Sequence, residues 1–208
     1  MRRYILIFAF LFFSASVAQG QIYGKLNGLY ALGGVINPQV EMTLSPHSTF
    51  QVEIVYSPWR YVNFDGHNKP ENFGIFLNEY KYYFKEVNNG WYVCMNVGMM
   101  AYHMTKPTIH NGKLALNSKY GRGWGFQLGV GGGYQYKFCD RWLLDAFFSF
   151  GYMNSKYNSY ILATDEIEMY PARSKQPDPA DPWNGSGEWL PNKIGLSIGY
   201  LLFKPAKK

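Results

Sequence analysis

The stretch Arg122–Phe138 reads RGWGFQLGVGGGYQYKF. Its even positions carry Trp124, Phe126, Leu128, Val130, Gly132, Tyr134, Tyr136 and Phe138. Its odd positions carry Gly125, Gln127, Gly129, Gly131, Gly133, Gln135 and Lys137. Successive side chains of a strand point to opposite faces, so this is a strand with one apolar face and one small or polar face. It is longer and more regular than an ordinary soluble strand of about 5–6 residues. At roughly 3.3 Å per residue and a ~45° tilt, ten residues cross about 23 Å, close to the height of an outer-membrane apolar band. The pattern predicts a membrane-spanning β-strand.

The remaining totals agree with that reading. The chain has 208 residues, enough for one domain, and 19% of them are aromatic, including 18 Tyr. Together with 22 Gly, this suits an all-β protein with aromatic girdles. Mean hydropathy is slightly negative, and no run beyond the N-terminus approaches the ~18 apolar residues of a spanning helix. The net charge of +6 is scattered along the chain apart from the tail Lys204, Lys207 and Lys208. Nucleic-acid binders cluster such charge on one face, so no nucleic acid is expected as partner.

The N-terminus reads as a secretory signal peptide over residues 1–20. Arg2 and Arg3 form a positive leader, and Tyr4–Phe13 forms an apolar run of the usual ~7–15 residues. Small residues then offer cleavage after Ala18 or after Gly20. Residues 21–208 are expected to form a single barrel domain. Export permits a disulfide, but the spacing of Cys94 and Cys139 does not show whether they pair. Two free thiols is the reading carried forward. Neither cysteine has metal-ligand spacing, and no metal or cofactor is expected.

Eight segments share the two-residue period: Tyr23–Leu32, Gln39–Leu44, Thr49–Tyr56, Phe73–Phe84, Trp91–Tyr102, Arg122–Phe138, Trp142–Tyr152 and Asn192–Phe203. The connections Ser45–Ser48, Lys85–Gly90 and Cys139–Arg141 are short and rich in turn residues. Ser57–Asn72, His103–Gly121 and Met153–Trp189 read as long loops, and Gly33–Pro38 as a short one. Short turns on one side and long connections on the other mark an eight-stranded antiparallel transmembrane β-barrel of the outer-membrane type. Its long loops are expected outside the cell and both termini in the periplasm. A soluble lipocalin-like barrel is the rival, with its apolar face inward. Its watered outer face would carry many Lys and Glu. Here the polar face is rich in Gly125, Gly129, Gly131 and Gly133, which suit a cramped interior.

That face also collects charge. Lys25, Lys81, Lys137 and Lys193 fall on it, as do Glu41, Glu53, Glu79 and Asp145. A lysine on the lipid face near the midplane costs about 2–4 kcal/mol, so the register keeps all four inside. Eight strands leave little lumen. The eight residues are therefore expected to form a barrel-interior charge network that acts as a structural plug, with an ion path as the alternative.

Little in the chain suggests catalysis. The glycines of Gly129–Gly133 match neither G-x-G-x-x-G nor a P-loop and lie within a strand. His103 and Thr105 are the one pair of note. Small barrels that deacylate lipid A use a membrane-facing His and Ser spaced this way, but Thr replaces Ser here and no acid partner is evident. No enzyme is expected, and a lipid A-modifying enzyme or a narrow solute channel are the alternatives. Acidic residues Asp165, Glu166, Glu168, Asp178, Asp181 and Glu188 in the last loop face the basic set Lys106, His110, Lys113 and Lys119 in the preceding one. The prolines of residues 176–183 stiffen that last loop. Loops on a rigid barrel are the usual place for binding.

Several segments resemble a family of small outer-membrane barrels from Bacteroidetes, a domain of unknown function, number 3575, with barrels of the OmpA/OmpX type. They are Tyr56-Ser57-Pro58-Trp59, Glu79-Tyr80-Lys81-Tyr82, Gly125–Tyr136, Trp142–Tyr152 and the closing Ile194–Tyr200. Where that family commonly has Arg after the strand-four Glu, this chain has Lys81, which keeps the charge and loses the bidentate fork. The resemblance supplies no catalytic residues. It implies a structural or surface-binding role, with outer-membrane lipid or lipopolysaccharide around the barrel and a cell-surface or fimbrial protein as a partner.

Overall fold

Alternation alone builds strands, but a barrel also needs its last strand to meet its first. The computed structural model of the protein describes residues 20–64, 67–110, 113–163, 166–168 and 188–205. The expected signal peptide lies outside these residues, apart from Gly20. The elements are β1 (Ile22–Asn27), α1 (Gly28–Leu32), β2 (Pro38–Ser45), β3 (Ser48–Phe64), β4 (His67–Tyr83), β5 (Gly90–His110), β6 (Lys113–Lys137), β7 (Trp142–Ala163), β8 (Glu166–Glu168) and β9 (Glu188–Phe203). Each of β1 to β7 pairs antiparallel with the next, β7 pairs β9, and β9 pairs β1. Eight antiparallel strands thus form a closed ring, and the three-residue β8 sits at the end of β7.

Two expectations about the elements change. The first strand ends at Asn27, not Leu32. The Asn27 side chain accepts the Leu29 backbone N–H at 3.1 Å and starts the one-turn helix α1. The chain then returns through Ile36, which pairs with Tyr56. The expected long loops Ser57–Asn72 and His103–Gly121 are largely strand. β3 and β4 stay paired to Phe64 and His67, and β5 and β6 to His110 and Lys113. Beyond the apolar band no face needs to be greasy, so the two-residue pattern fades while the backbone ladder continues. Three of the register irregularities fall near prolines, between Trp59 and Val62, between Thr105 and Pro107, and opposite Pro191. Proline has no N–H to give to a ladder, and bulges are where strands accommodate it.

The two faces separate cleanly. Met95, Met99 and Val130 point out and are 60%, 63% and 59% exposed, while Gln127, Gln135 and Asp145 point in and are fully buried. The wall is apolar and the interior is polar, the reverse of the lipocalin-like arrangement. Aromatic rings mark both ends of the wall. Trp91 packs edge-on against Tyr134, and Trp142 against Tyr200, at the end with the short turns. Trp189 packs with Tyr152 and Phe150 toward the other end, which Trp124 also marks. Cys94 is buried, Cys139 is exposed, and both thiols are free.

The inward glycines of β6 are a steric requirement. A Cβ on Gly131 would land on the Phe148 carbonyl oxygen and on Ser149, and one on Gly125 would meet the Asn154 carbonyl. Outward Gly74 has nothing within 4 Å of such a Cβ. Gly131→Val is therefore expected to destabilise the barrel by about 1–3 kcal/mol or to block its folding. Gly74→Val should leave it intact. The shift in gel mobility between boiled and unboiled samples reads both outcomes.

Candidate functional site

Inward positions of neighbouring strands place seven charged side chains in the barrel, in two layers. In the layer nearer the short turns, Lys25 Nζ contacts Glu41 Oε2 and lies 2.6 Å from Asp145 Oδ2. Lys81 Nζ lies 3.2 Å from the same Glu41 oxygen and 2.8 Å from the same Asp145 oxygen. In the next layer Lys193 Nζ sits 2.8 Å from Glu53 Oε2 and 3.0 Å from Glu79 Oε2. Glu79 joins the layers, with Oε1 3.6 Å from Lys81 Nζ. All seven side chains are 2% exposed or less. The ammonium groups also lie over rings, Lys81 over Tyr92 and Lys193 over Phe147, each 4.6 Å from the centroid.

Lys137, expected in this network, is not part of it. It sits at the last position of β6, opposite Leu143, is only partly buried, and makes no ion pair among the described residues. At the end of the strand, half-buried, the long side chain can keep its ammonium in water. Three lysines thus meet four carboxylates, with neutral donors supplying the remaining contacts. Thr49 and Tyr83 donate to Glu41 Oε1 at 2.6 and 2.8 Å, and Tyr92 donates to Asp145 Oδ1 at 2.8 Å. Gln135 Nε2 bridges Glu41 and Asp145 at 2.9 and 3.0 Å. Asn37 and Gln51 donate to Glu53, each at 3.1 Å. These residues escape a search for charge. Parity contains the signal for most of them, because Thr49 and Gln51 are in phase with Glu53, Tyr83 with Lys81, Tyr92 with Cys94, and Gln135 with Gln127.

Every barrel strand contributes to this one connected network. Lys25 comes from β1, Glu41 from β2, Thr49 and Glu53 from β3, Glu79 and Lys81 from β4, Tyr92 from β5, Gln135 from β6, Asp145 from β7 and Lys193 from β9. Farther toward the outer end, Asn96, Ser149 and Asn192 close a three-membered ring across β5, β7 and β9, with bonds of 3.1, 2.6 and 2.8 Å. Gly129 makes room for it, since a Cβ there would strike the Asn192 amide.

The His103–Thr105 pair does not assemble. His103 lies on the outward phase, next to Arg122 and Asn72. Thr105 is fully buried and its hydroxyl donates to the Pro70 carbonyl at 3.2 Å. No hydrogen bond joins the two, so the His–hydroxyl activation that deacylation requires is not in place. Asp165, Asp178 and Asp181 and the proline-rich residues 176–183 lie outside the described residues. Lys106, His110, Lys113, Lys119, Glu166, Glu168 and Glu188 lie in strands, and the described structure stops at their backbone.

The fold and its interior define a closed eight-stranded β-barrel with an apolar wall and a polar, ion-paired core. The chain belongs to the family described as protein of unknown function (DUF3575), whose model matches residues 4–202. No curated protein matches it. Among solved structures it is similar to the N-terminal β-barrel domain of Pseudomonas aeruginosa OprF. That likeness has 15% identity and a TM-score of 0.35 over 88% of this chain and 98% of the other.

Two predictions follow from these charges. Asp145→Asn leaves Lys25 and Lys81 undercompensated in a dry site and should cost about 3–5 kcal/mol in urea unfolding of the folded barrel. Glu86→Gln in the exposed turn should stay within about 0.5 kcal/mol. The second concerns Glu71, three residues beyond Gly74 on β4 and outside the apolar band. Burial pushes its carboxyl up to about 7, against the pulls of the Thr105 backbone and Lys69. Its Oε1 has no hydrogen-bond partner. A raised carboxyl pKa favours the folded state at low pH, and that contribution disappears as pH rises from the unfolded value through about 7. Hydrogen exchange of the β4–β5 ladder near Glu71 is expected to quicken from about pH 5 to about pH 8, after correction for intrinsic exchange, and Glu71→Gln is expected to flatten that rise.

Proposed function

We propose that the protein is an integral outer-membrane barrel with a closed core and a structural or surface-binding role. The observation that carries this reading is the inversion of faces. Exposed Val, Leu, Ile, Met and Phe form a belt between two aromatic rims, and the paired charges are inside. In water such a belt drives aggregation. In a bilayer it is the lipid contact, and the aromatic rims lie at the two interfaces. The short turns then face the periplasm and the long hairpins face outward.

The core acts as a plug. Paired ions and side-chain bridges link opposite walls, and a small barrel has no room for a hydrated path past them. Binding is assigned to the outer hairpins. From Ala101 to His110, β5 runs roughly 30 Å beyond the outer rim at about 3.3 Å per residue. Paired strands of that length present a firm surface to a cell-surface protein, and the family resemblance makes fimbrial assembly the setting to examine. Lipid A modification is not supported by the placement of Thr105, nor conduction by the ion-paired core.

The test combines three measurements on the full chain. The protein should fractionate with outer membranes, show heat-modifiable migration, and give no steady conductance in planar bilayers. A mature protein found soluble in the periplasm overturns the membrane reading. A large steady conductance overturns the plug.

A further inference from the structure

The apolar wall is notched near its outer end, on β4 and β5. Across β3 to β6, Tyr56 pairs with Gly74, Gly74 with Ala101, and Ala101 with Trp124. Two small residues therefore sit side by side between two large aromatics. The row two residues below, Ile54, Phe76, Met99 and Phe126, is continuous and bulky. The row two residues above is polar, with Asn72 beside His103 and His103 beside Arg122. Together they frame an outward-facing cleft of about 900 Å³.

The chemistry of the cleft changes from bottom to top. Its floor over Gly74 is open space, since a Cβ there meets nothing within 4 Å. Tyr56 and Trp124 stand three strand spacings apart, roughly 14 Å between backbones, which is wide enough for acyl chains to lie between them. At the top, Arg122 is exposed and Lys156 is exposed beside Trp124 on β7. Among the described residues no carboxylate lines the cleft. Asn72 gives its amide to the Ser57 carbonyl at 2.8 Å, which leaves its Oδ1 to accept from a ligand hydroxyl.

We infer that this cleft is a binding site for a phosphorylated glycolipid of the surrounding leaflet. The headgroup phosphate is held by Arg122 with Lys156 nearby, a sugar hydroxyl is read by Asn72, and an acyl chain fills the slot over Gly74 and Ala101. An exposed guanidinium matches a phosphate better than it matches a neutral head. The slot continues directly into the apolar wall, so the two ends of one amphipathic molecule are served at one site. The inference rests on the membrane reading above and specifies the lipid that the wall retains.

Two substitutions test opposite ends of the site. Arg122→Gln removes the cation, and Gly74→Leu fills the slot without a steric clash that would disturb folding. Purified barrel in detergent is titrated with a phosphorylated, acylated glucosamine disaccharide and with its dephosphorylated form, and bound lipid is read by native mass spectrometry. The wild type should retain the phosphorylated lipid, and each substitution or loss of the phosphate should weaken retention at least about tenfold. Inorganic phosphate should not compete, because it lacks the chain. Equal retention by wild type and both variants overturns the site, as does equal retention of the dephosphorylated lipid. Competition by inorganic phosphate overturns the lipid assignment. The gel-mobility shift and membrane fractionation are read on the same samples. A wild type that is folded and membrane-embedded yet retains no phosphorylated lipid refutes the cleft alone, and a soluble wild type refutes the membrane reading.

Discussion

Three ammonium groups and four carboxylates inside a narrow ring of strands set the terms for everything else. A charge in a dry site is tolerable only when it is paired and its remaining hydrogen-bonding capacity is met. Lys25 and Lys81 share the same oxygens of Glu41 and Asp145, and Thr49, Tyr83, Tyr92 and Gln135 take up the rest. Because these groups come from different strands, the pairing is satisfied only when the ring is closed and in register. A slip of one residue on any strand would turn its charged members to the outer wall. The polar core therefore specifies one register, a task that a uniformly apolar interior would leave to packing.

Closure also explains the glycines. Strands that curve into a ring of eight crowd their inward side chains, and β6 meets this by giving up side chains at Gly125, Gly129, Gly131 and Gly133. The space goes to Ser149, Asn192 and Tyr92, which belong to the hydrogen-bonded interior. The glycine run and the charge network are two parts of one solution, since long polar side chains need empty positions opposite them. Outward glycine has another meaning. Gly74 and Ala101 leave a gap in the apolar wall bordered by Tyr56, Trp124 and Arg122.

Sequence period was enough to find the apolar-walled parts of the strands and to assign their faces. Lys25, Glu41, Glu53, Glu79, Lys81, Asp145 and Lys193 could be placed inside because parity is a local property of the chain. Parity gives no depth, however. Lys137 shares the inward phase with Gln135, yet it sits at the end of its strand. The same limit applied to the partners. Tyr83 and Tyr92 look like further members of an aromatic belt until their phase is counted. The hairpins beyond the rim look like loops in the sequence, because backbone pairing outside the apolar band leaves no hydrophobic period to detect.

By itself, then, the sequence determined that this chain is all-β, how many strands line the ring, and which side chains share each face. Those properties repeat every two residues and need no knowledge of distant neighbours. Only the tertiary structure decided that Lys25 meets Asp145 across 120 positions of chain, that Thr105 donates to Pro70 and not to His103, and that Asn27 ends its strand by capping a helix. It alone aligned Gly74 with Ala101 and His103 with Arg122. Register between strands depends on the lengths of turns, on bulges and on the sum of many pairings, and none of these is visible in the alternation of a single segment.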